Sequence, residues 1–296
     1  SLLKARRTRV HVGSISHVDG SARVRLGQTV ILAGVQCVPT PPTDAEPTRG
    51  RVVVSLEVAG VSSPAAAAAA ARGGPGARQE REHAVLLELL QRTASGGLID
   101  LDSLCAVDGH AVWTCHCDLC VLEHDGNLTD AAMLAMSAAL GQLRLPSIRY
   151  DDALGSLVVD TPAAPSEALP PAPPPLEGPK ASKRKRAADE EALAGGPSGE
   201  AGAPSGLRRI ELVRPLLPVT FGVLSGRLLL DPCADEETLL SCAFTVLIDA
   251  QGQFAAMHKP GGAPLSPDVM QQAIVAAKER SPTLLKALCS PAAGDS

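Results

Sequence analysis

Apolar and polar positions alternate along the opening of the chain. Val10 to Ile15, Ser21 to Leu26 and Thr29 to Cys37 are short β-prone runs separated by Asp19-Gly20 and Gly27-Gln28. That spacing predicts strands of an antiparallel meander joined by tight turns, with Asp19-Gly20 the stronger turn signal. After the loop TPPTDAEPTRG, a further strand is expected at Arg51 to Val58. The period then changes. Ala84, Leu86, Leu87, Leu89 and Leu90 predict a helix over Gln79 to Thr93, ended by Gly96-Gly97. A strand is expected at Ala111 to Leu122, and beyond Asp125-Gly126 a helix over Asp130 to Leu140, stopped by Gly141. Ala131, Ala132, Met133, Leu134, Ala135 and Met136 make this second helix apolar nearly all round, the pattern of a buried element.

Two stretches break the pattern. Residues 62–76 hold a run of alanines flanked by Pro and Gly, with no amphipathic face to bury, and read as a flexible loop. Residues 161–206 shift to Pro, Ala, Gly, Ser and charge, too poor in large apolar side chains to offset the entropy of ordering, and read as a disordered insert. Periodicity returns at Leu216 to Leu224, Arg227 to Leu230, Ala243 to Asp249 and Gly252 to His258. A last helix opens at Ser266-Pro267-Asp268, an N-cap followed by Pro at the first helical position, with Val269, Ala273, Ile274 and Ala277 on one face. The order strands, helix, strands, helix predicts an α+β domain of two similar halves: 1–160, the insert 161–206, then 207–290, with a tail at 291–296.

Composition narrows the function. Of 296 residues 45% are apolar, so the chain can fill a core; without the two breaks, roughly 220 residues remain, a size suited to one domain. A net charge of −5 opposes a protein that coats nucleic acid through bulk charge. The aromatic set is only Phe221, Phe244, Phe254, Trp113 and Tyr150, which opposes base-stacking platforms, so any RNA contact should be local and backbone-directed. Eight cysteines without a secretory pattern suit a reduced intracellular compartment, and no apolar run is long enough to span a bilayer. The first residue is Ser rather than Met, which leaves the start open to trimming.

Three segments carry a resemblance. GSISHVDGSARVRLGQTVILAGV resembles the amino-terminal meander of RNase PH-like proteins. CDLCVLEHDGNLTDAAMLAMSAAL resembles their central strand, Asp-Gly turn and buried helix, and LLLDPCADEETLLSCAFTVLIDAQGQFAAMHKPGG their second-half strand unit. The combination of GSIS, DGNLTDA, LDP and HKPGG looks most like the ring subunits of the eukaryotic RNA exosome. The resemblance implies an RNase PH-like fold (ribosomal protein S5 domain 2-like) of two β-α-β-α halves. It also implies a six-member ring of sibling subunits, S1/KH-type cap subunits on the ring, and single-stranded RNA in its channel.

Active members of that family degrade RNA by phosphorolysis, holding phosphate with an Arg at the start of the buried helix. Placing a dianion there needs helix-start N–H groups and a charge-assisted Arg contact. The matching position here is Thr129, and Asp130 sets a negative charge beside it. The family's pair of acids in the second half aligns with Glu237 and Ala243, so the second carboxylate is missing. The resemblance therefore implies a non-catalytic chain that needs no cofactor, with the phosphorolytic exoribonuclease as its rival.

Other constellations are weaker. Cys115, Cys117 and Cys120 with His116 and His124 invite a metal, but strand alternation faces Cys120 away from the other two, and core cysteines are the preferred reading. Arg72, Arg78 and Arg81 lie where active relatives touch RNA phosphates; the alternative is a solvated basic surface. Arg6, Arg7 and Arg9 are open in the same way, although alternation points Arg7 and Arg9 together. Lys180, Lys183, Arg184, Lys185 and Arg186 form a basic cluster inside the insert, readable as a nuclear import signal or as a charge run that keeps the insert soluble. With the resemblance, this favours nucleus and nucleolus, with cytoplasm as well.

Overall fold

The computed structural model describes residues 2–43, 45–58, 75–151, 156–159, 207–289 and 292–293. Both the 161–206 insert with its basic cluster and most of the Ala-rich 62–76 stretch lie outside them.

Two sheets sandwich one helix. The first joins β1 (Thr8–Val12), β2 (Gly20–Leu26), β3 (Thr29–Thr40), β4 (Arg51–Val58), β5 (Cys105–Val107) and β6 (Ala111–Glu123) in the order β1-β2-β3-β6-β4, with β5 also on β6. Helix α1 (Pro75–Thr93) connects β4 towards β6, and α2 (Leu128–Leu140) follows β6. Two short antiparallel pairs flank the insert: β8 (Ile148–Asp151) with β9 (Ser156–Val159), and β7 (Arg144–Pro146) with β10 (Leu207–Arg209). The second sheet has the order β12-β11-β13-β14, built from β11 (Leu216–Leu224), β12 (Arg227–Leu230), β13 (Cys242–Asp249) and β14 (Phe254–His258). A single helical turn, α3 (Ala234–Glu237), leads into β13, and α4 (Pro267–Cys289) packs on β11 and β13. In the expected tail, β15 (Ala292–Ala293) pairs in parallel with β1.

Helix α2 packs on β2 and β3 of one sheet and on β11 of the other, so every residue from Asp130 to Leu140 is buried. That is the physical reason its sequence is apolar all round. Gly20 belongs to the same contact: a Cβ there would stand 2.5 Å from the Ala139 carbonyl oxygen.

The sequence expectations shift at the edges. Helix α1 starts at Pro75, two residues inside the expected loop, and α2 starts at Leu128 because Asn127 caps it. The stronger-looking turn signal, Asp19-Gly20, is not the two-residue hairpin. Leu26↔Thr29 closes around Gly27-Gln28, where Gly27 has φ +60, whereas Gly20 opens β2 and the Asp19 carboxylate accepts the Cys37 N–H at 2.7 Å. Strand β4 lies at the sheet edge, pairing with β6, and α1 protects its outer rim: Gln91 accepts from the Val54 N–H (2.9 Å) and donates to the Val52 carbonyl (2.7 Å). No helix among the described residues is long and apolar enough to cross a membrane.

Candidate functional site

The turn between β6 and α2 is tight and left-handed. Gly126 has φ +77 and Asn127 φ +52. A Cβ on Gly126 would sit 2.5 Å from the Cys233 carbonyl carbon and 2.6 Å from the Ala234 nitrogen, so only Gly lets this turn dock on the second-half loop. Buried Thr29 holds the turn from below, its hydroxyl donating to the Gly126 carbonyl (2.7 Å) and accepting from the Asp125 N–H (3.0 Å).

Asn127 is the hub. Its Oδ1 accepts from the Asp130 N–H as the N-cap of α2, while its Nδ2 donates to Asp130 Oδ2 (2.9 Å) and Asp231 Oδ1 (2.7 Å). Its backbone N–H donates to Glu237 Oε1 at 2.7 Å. A carboxylate of the chain's own second half thus occupies the turn that opens α2, where backbone donors and the helix dipole favour an anion.

Arg6 ties the amino-terminal segment to both halves. Its Nε and Nη2 fork onto Asp231 Oδ2 (3.1 Å) and Oδ1 (2.8 Å), and its backbone N–H also reaches Oδ2 (2.8 Å). Nη1 donates to the Asp125 carbonyl (2.6 Å) and to its Oδ2 (3.3 Å). The Asp231 side chain is 0% exposed and that of Arg6 20%. Burial works to raise the Asp231 carboxyl, but the hydrogen bonds from Arg6 and Asn127 and the guanidinium charge outweigh it and hold the group below the usual carboxylate range. Beside this pair a cleft of about 470 Å³ is lined by Leu2, Lys4, Leu230, Asp231, Cys233 and Glu236.

Asp130 departs from its expectation. It does not confront an incoming anion: it is 2% exposed and points into the second half, accepting from the Thr220 hydroxyl (2.6 Å) and N–H (3.1 Å). The Thr220 hydroxyl, having donated there, accepts from Thr245 at 2.7 Å. Burial raises the Asp130 carboxyl more than these hydrogen bonds lower it. The charge facing the helix start is Glu237 instead, whose carboxyl is also pushed up, first by burial and then by Glu82 and Asp125.

Thr129 is half-buried in the first turn of α2. Ala243 stands opposite Gly222, two residues before Thr245 and so on the same face of β13. Arg81 is exposed on α1, and the neighbouring Glu82 is close enough to act on Glu237. Arg78 lies in the same helix and Arg72 outside the described residues.

The cysteines fall as alternation requires. Cys115 and Cys117 are buried on one face, His116 is exposed on the other, and Cys120 is half-buried there. The neighbour the sequence did not reveal is Cys37, directly opposite Cys115 in the register with their sulfurs 2.8 Å apart. Burial pushes the Cys117 thiol up to about 12. No cluster of three or more metal-ligating side chains occurs among the described residues.

Models of the 3′ exoribonuclease family match this chain twice, domain 1 over residues 4–146 and domain 2 over residues 215–280. Arg6 and the 125–130 turn lie in the first match, Asp231 and Glu237 in the second. Similar proteins include the exosome complex component Rrp42 of Methanothermobacter thermautotrophicus (28% identical, covering 97% of this chain and 87% of that one). The exosome complex component rrp43 of Schizosaccharomyces pombe is 23% identical, over 90% of this chain and 80% of the relative. Among solved structures, an archaeal exosome core superposes with a TM-score of 0.66 at 20% identity, over 98% of this chain and 89% of that one. An Archaeoglobus fulgidus exosome with RNA bound to the active site gives 0.67 at 21%, over 96% and 89%. At these identities the structural likeness concerns the fold.

Proposed function

This chain belongs to the 3′ exoribonuclease family of RNase PH-like proteins, and from that premise we propose that it is a non-catalytic subunit of an RNA exosome ring, most like ribosomal RNA-processing protein 43. In this role it pairs with sibling RNase PH-like subunits, supports S1/KH-type cap subunits, and lines a channel that guides single-stranded RNA to a nuclease elsewhere. The process served is 3′-to-5′ RNA processing and degradation, including rRNA maturation, in nucleus, nucleolus and cytoplasm. Relatives named as exosome complex components, matched over nearly the whole chain, support the ring.

The observation that carries the loss of catalysis is the filled helix start. Phosphorolysis needs inorganic phosphate at such a site, next to an Arg. Here Thr129 offers no positive charge, and the Glu237 carboxylate already accepts the Asn127 N–H at 2.7 Å. A phosphate would have to displace a tethered carboxylate and meet Asp125 and Glu82 without a guanidinium of its own, because Arg6 is committed to Asp231.

The test is affinity purification of the tagged chain from its own cells with mass spectrometry, together with a phosphate-dependent RNA degradation assay on the purified chain. Recovery of the ring and cap subunits with no shortening of RNA is the expected result. Phosphate-dependent shortening by the lone chain overturns the non-catalytic reading, and a stable monomer recovered without siblings overturns the ring.

A further inference from the structure

The first 37 residues carry Lys4, Arg6, Arg7, Arg9, Arg23 and Arg25 against a single acid, Asp19, in a chain whose net charge is −5. Two of these seven charges are already placed: Arg6 binds Asp231, and Asp19 accepts from Cys37. The register of β1 and β2 gathers four of the others. Arg9 stands directly opposite Arg25, and His11 opposite Arg23. Arg7 lies two residues before Arg9, its carbonyl accepting the Gly27 N–H beside the hairpin. Alternation puts all of them on the face of the sheet turned away from α2, since Val10, Val24 and Leu26 point inward and are buried. Arg7, Arg9, Arg23 and Arg25 are all exposed.

We propose that Arg7, Arg9, Arg23 and Arg25 form a ladder that binds the phosphate backbone of single-stranded RNA. The inference rests on the reading of this chain as part of an RNA-handling ring, and it names a surface separate from the Glu237 site. Like charges directly opposite on neighbouring strands destabilise a sheet. Among the described residues no carboxylate relieves this pair: the hydrogen bonds of Arg25 go to the neutral Gly27 carbonyl and Gln28 amide, which aim its guanidinium at the hairpin tip. Successive rungs along each strand are about 6.7 Å apart, with the two rows about 5 Å from each other. Forked guanidinium donors suit phosphate oxygens, and a flexible single strand can adjust its phosphates to such a pitch.

An acidic protein partner is the competing occupant. Protein interfaces combine Arg anchors with buried aromatic ones, above all Trp and Tyr. The accessible outward residues of β1 and β2 are Arg9, His11, Arg23 and Arg25, with no Trp or Tyr beside them to complete such an interface. No Phe, Tyr or Trp lies on these two strands, so the contact reads backbone charge and not sequence.

The experiment titrates the full chain with fluorescein-labelled oligouridylate, following anisotropy as salt rises fourfold. With four phosphates engaged, the affinity of the natural chain should fall about 50-fold, and that of Arg9→Gln/Arg25→Gln only about 7-fold from a weaker start, because each contact contributes about 0.7 to the slope. The variant should melt no lower than the natural chain, since a like-charge pair has been removed. Arg51→Gln/Arg227→Gln, which removes the same charge elsewhere, should leave the slope unaltered. An unchanged slope in the ladder variant overturns the proposal. So does an equal loss in the control pair, which would mean diffuse attraction, or polyglutamate displacing the RNA more strongly than an unlabelled oligouridylate of equal charge. Adding inorganic phosphate to the same mixtures separates the two readings: RNA shortening would refute the non-catalytic subunit and leave the ladder standing.

Discussion

Replacing Arg6 by Met keeps the aliphatic stem beside Gly27 and removes the guanidinium from a fully covered carboxylate. Two forked bonds to Asp231 and two to Asp125 are lost. Breaking a buried pair by deleting one partner costs about 3–5 kcal/mol, because the remaining charge is left without compensation. The lower end applies here: Asn127 Nδ2 and the backbone N–H of residue 6 still hold Asp231, and Arg6 itself is 20% exposed. About 3 kcal/mol corresponds to a fall in Tm of about 6–12 °C for a domain of this size. The effect depends on pH. The Asp231 pKa is held below its unfolded value of about 3.9, so the stability it contributes is complete above that pH and is lost as pH falls through the folded value. In Arg6→Met the downward pull is gone while burial remains, so protonation relieves the variant at higher pH. Thermal unfolding by circular dichroism should therefore show the largest gap between the two proteins near neutral pH, closing towards pH about 3. A cost below about 1 kcal/mol, or a gap that stays constant across that range, would refute Arg6–Asp231 as the clamp between the halves.

Three further outcomes are expected. Gly126→Ala should cost about 3 kcal/mol or more by chemical denaturation, since it combines left-handed strain with a Cβ 2.5 Å from the Cys233 carbonyl carbon; a loss under about 1 kcal/mol would mean that the turn docks loosely. Gln91→Ala uncovers the Val52 and Val54 backbone groups at the β4 rim, costing about 1–3 kcal/mol and shortening the time to light-scattering onset on incubation; unchanged aggregation would show that the rim needs no cover. Glu237→Gln keeps an acceptor for Asn127 without the charge. Because burial raises the Glu237 carboxyl, the stability linked to its protonated form is present at low pH and lost as pH rises through the folded pKa. The variant should therefore melt higher than the natural chain at neutral pH and the same at pH about 4, and equal Tm values at both would contradict the burial of this charge.

The strands were legible because alternation survives wherever one face is buried. Arg51 to Val58, Leu216 to Leu224 and Arg227 to Leu230 were read from the sequence with the bounds that the structure gives them. Helix α2 was legible for the opposite reason, since a helix between two sheets has no polar side to hide. The joint at its start was only half legible. The family resemblance singles out Thr129, Asp130 and Glu237, whereas Asn127 and Asp231 stand in its motifs DGNLTDA and LDP without a role, and Arg6 is one basic residue among three. Arg6 and Asp231 are 225 positions apart, and local periodicity carries no information about such a pair. One signal was available: an Asp set between Leu228–Leu230 and Pro232 follows an apolar run that leaves it little access to water, and a buried carboxylate requires a partner. The direction of Asp130 is not legible, because sequence spacing fixes its place on α2 but not that Thr220 waits on the other side.

The same few residues bear on both the fold and the proposed loss of chemistry. A site that turns over substrate keeps donors unsatisfied until the ligand arrives, and such groups weaken the resting fold. Here the Asn127 N–H, both Asn127 amide hydrogens, the Arg6 fork and the Thr220 hydroxyl are all taken by the chain's own carboxylates. Each of those bonds except the Asn127–Asp130 pair crosses from the first half to the second or to the amino-terminal segment. A fully satisfied buried network specifies one relative placement of its parts better than apolar packing alone. A ring subunit needs that placement, because both halves must present their surfaces to neighbours in fixed register. On the proposed reading, the helix start that would have received phosphate instead fixes the angle between the halves, and restoring an Arg at 129 alone would leave Glu237 in its way.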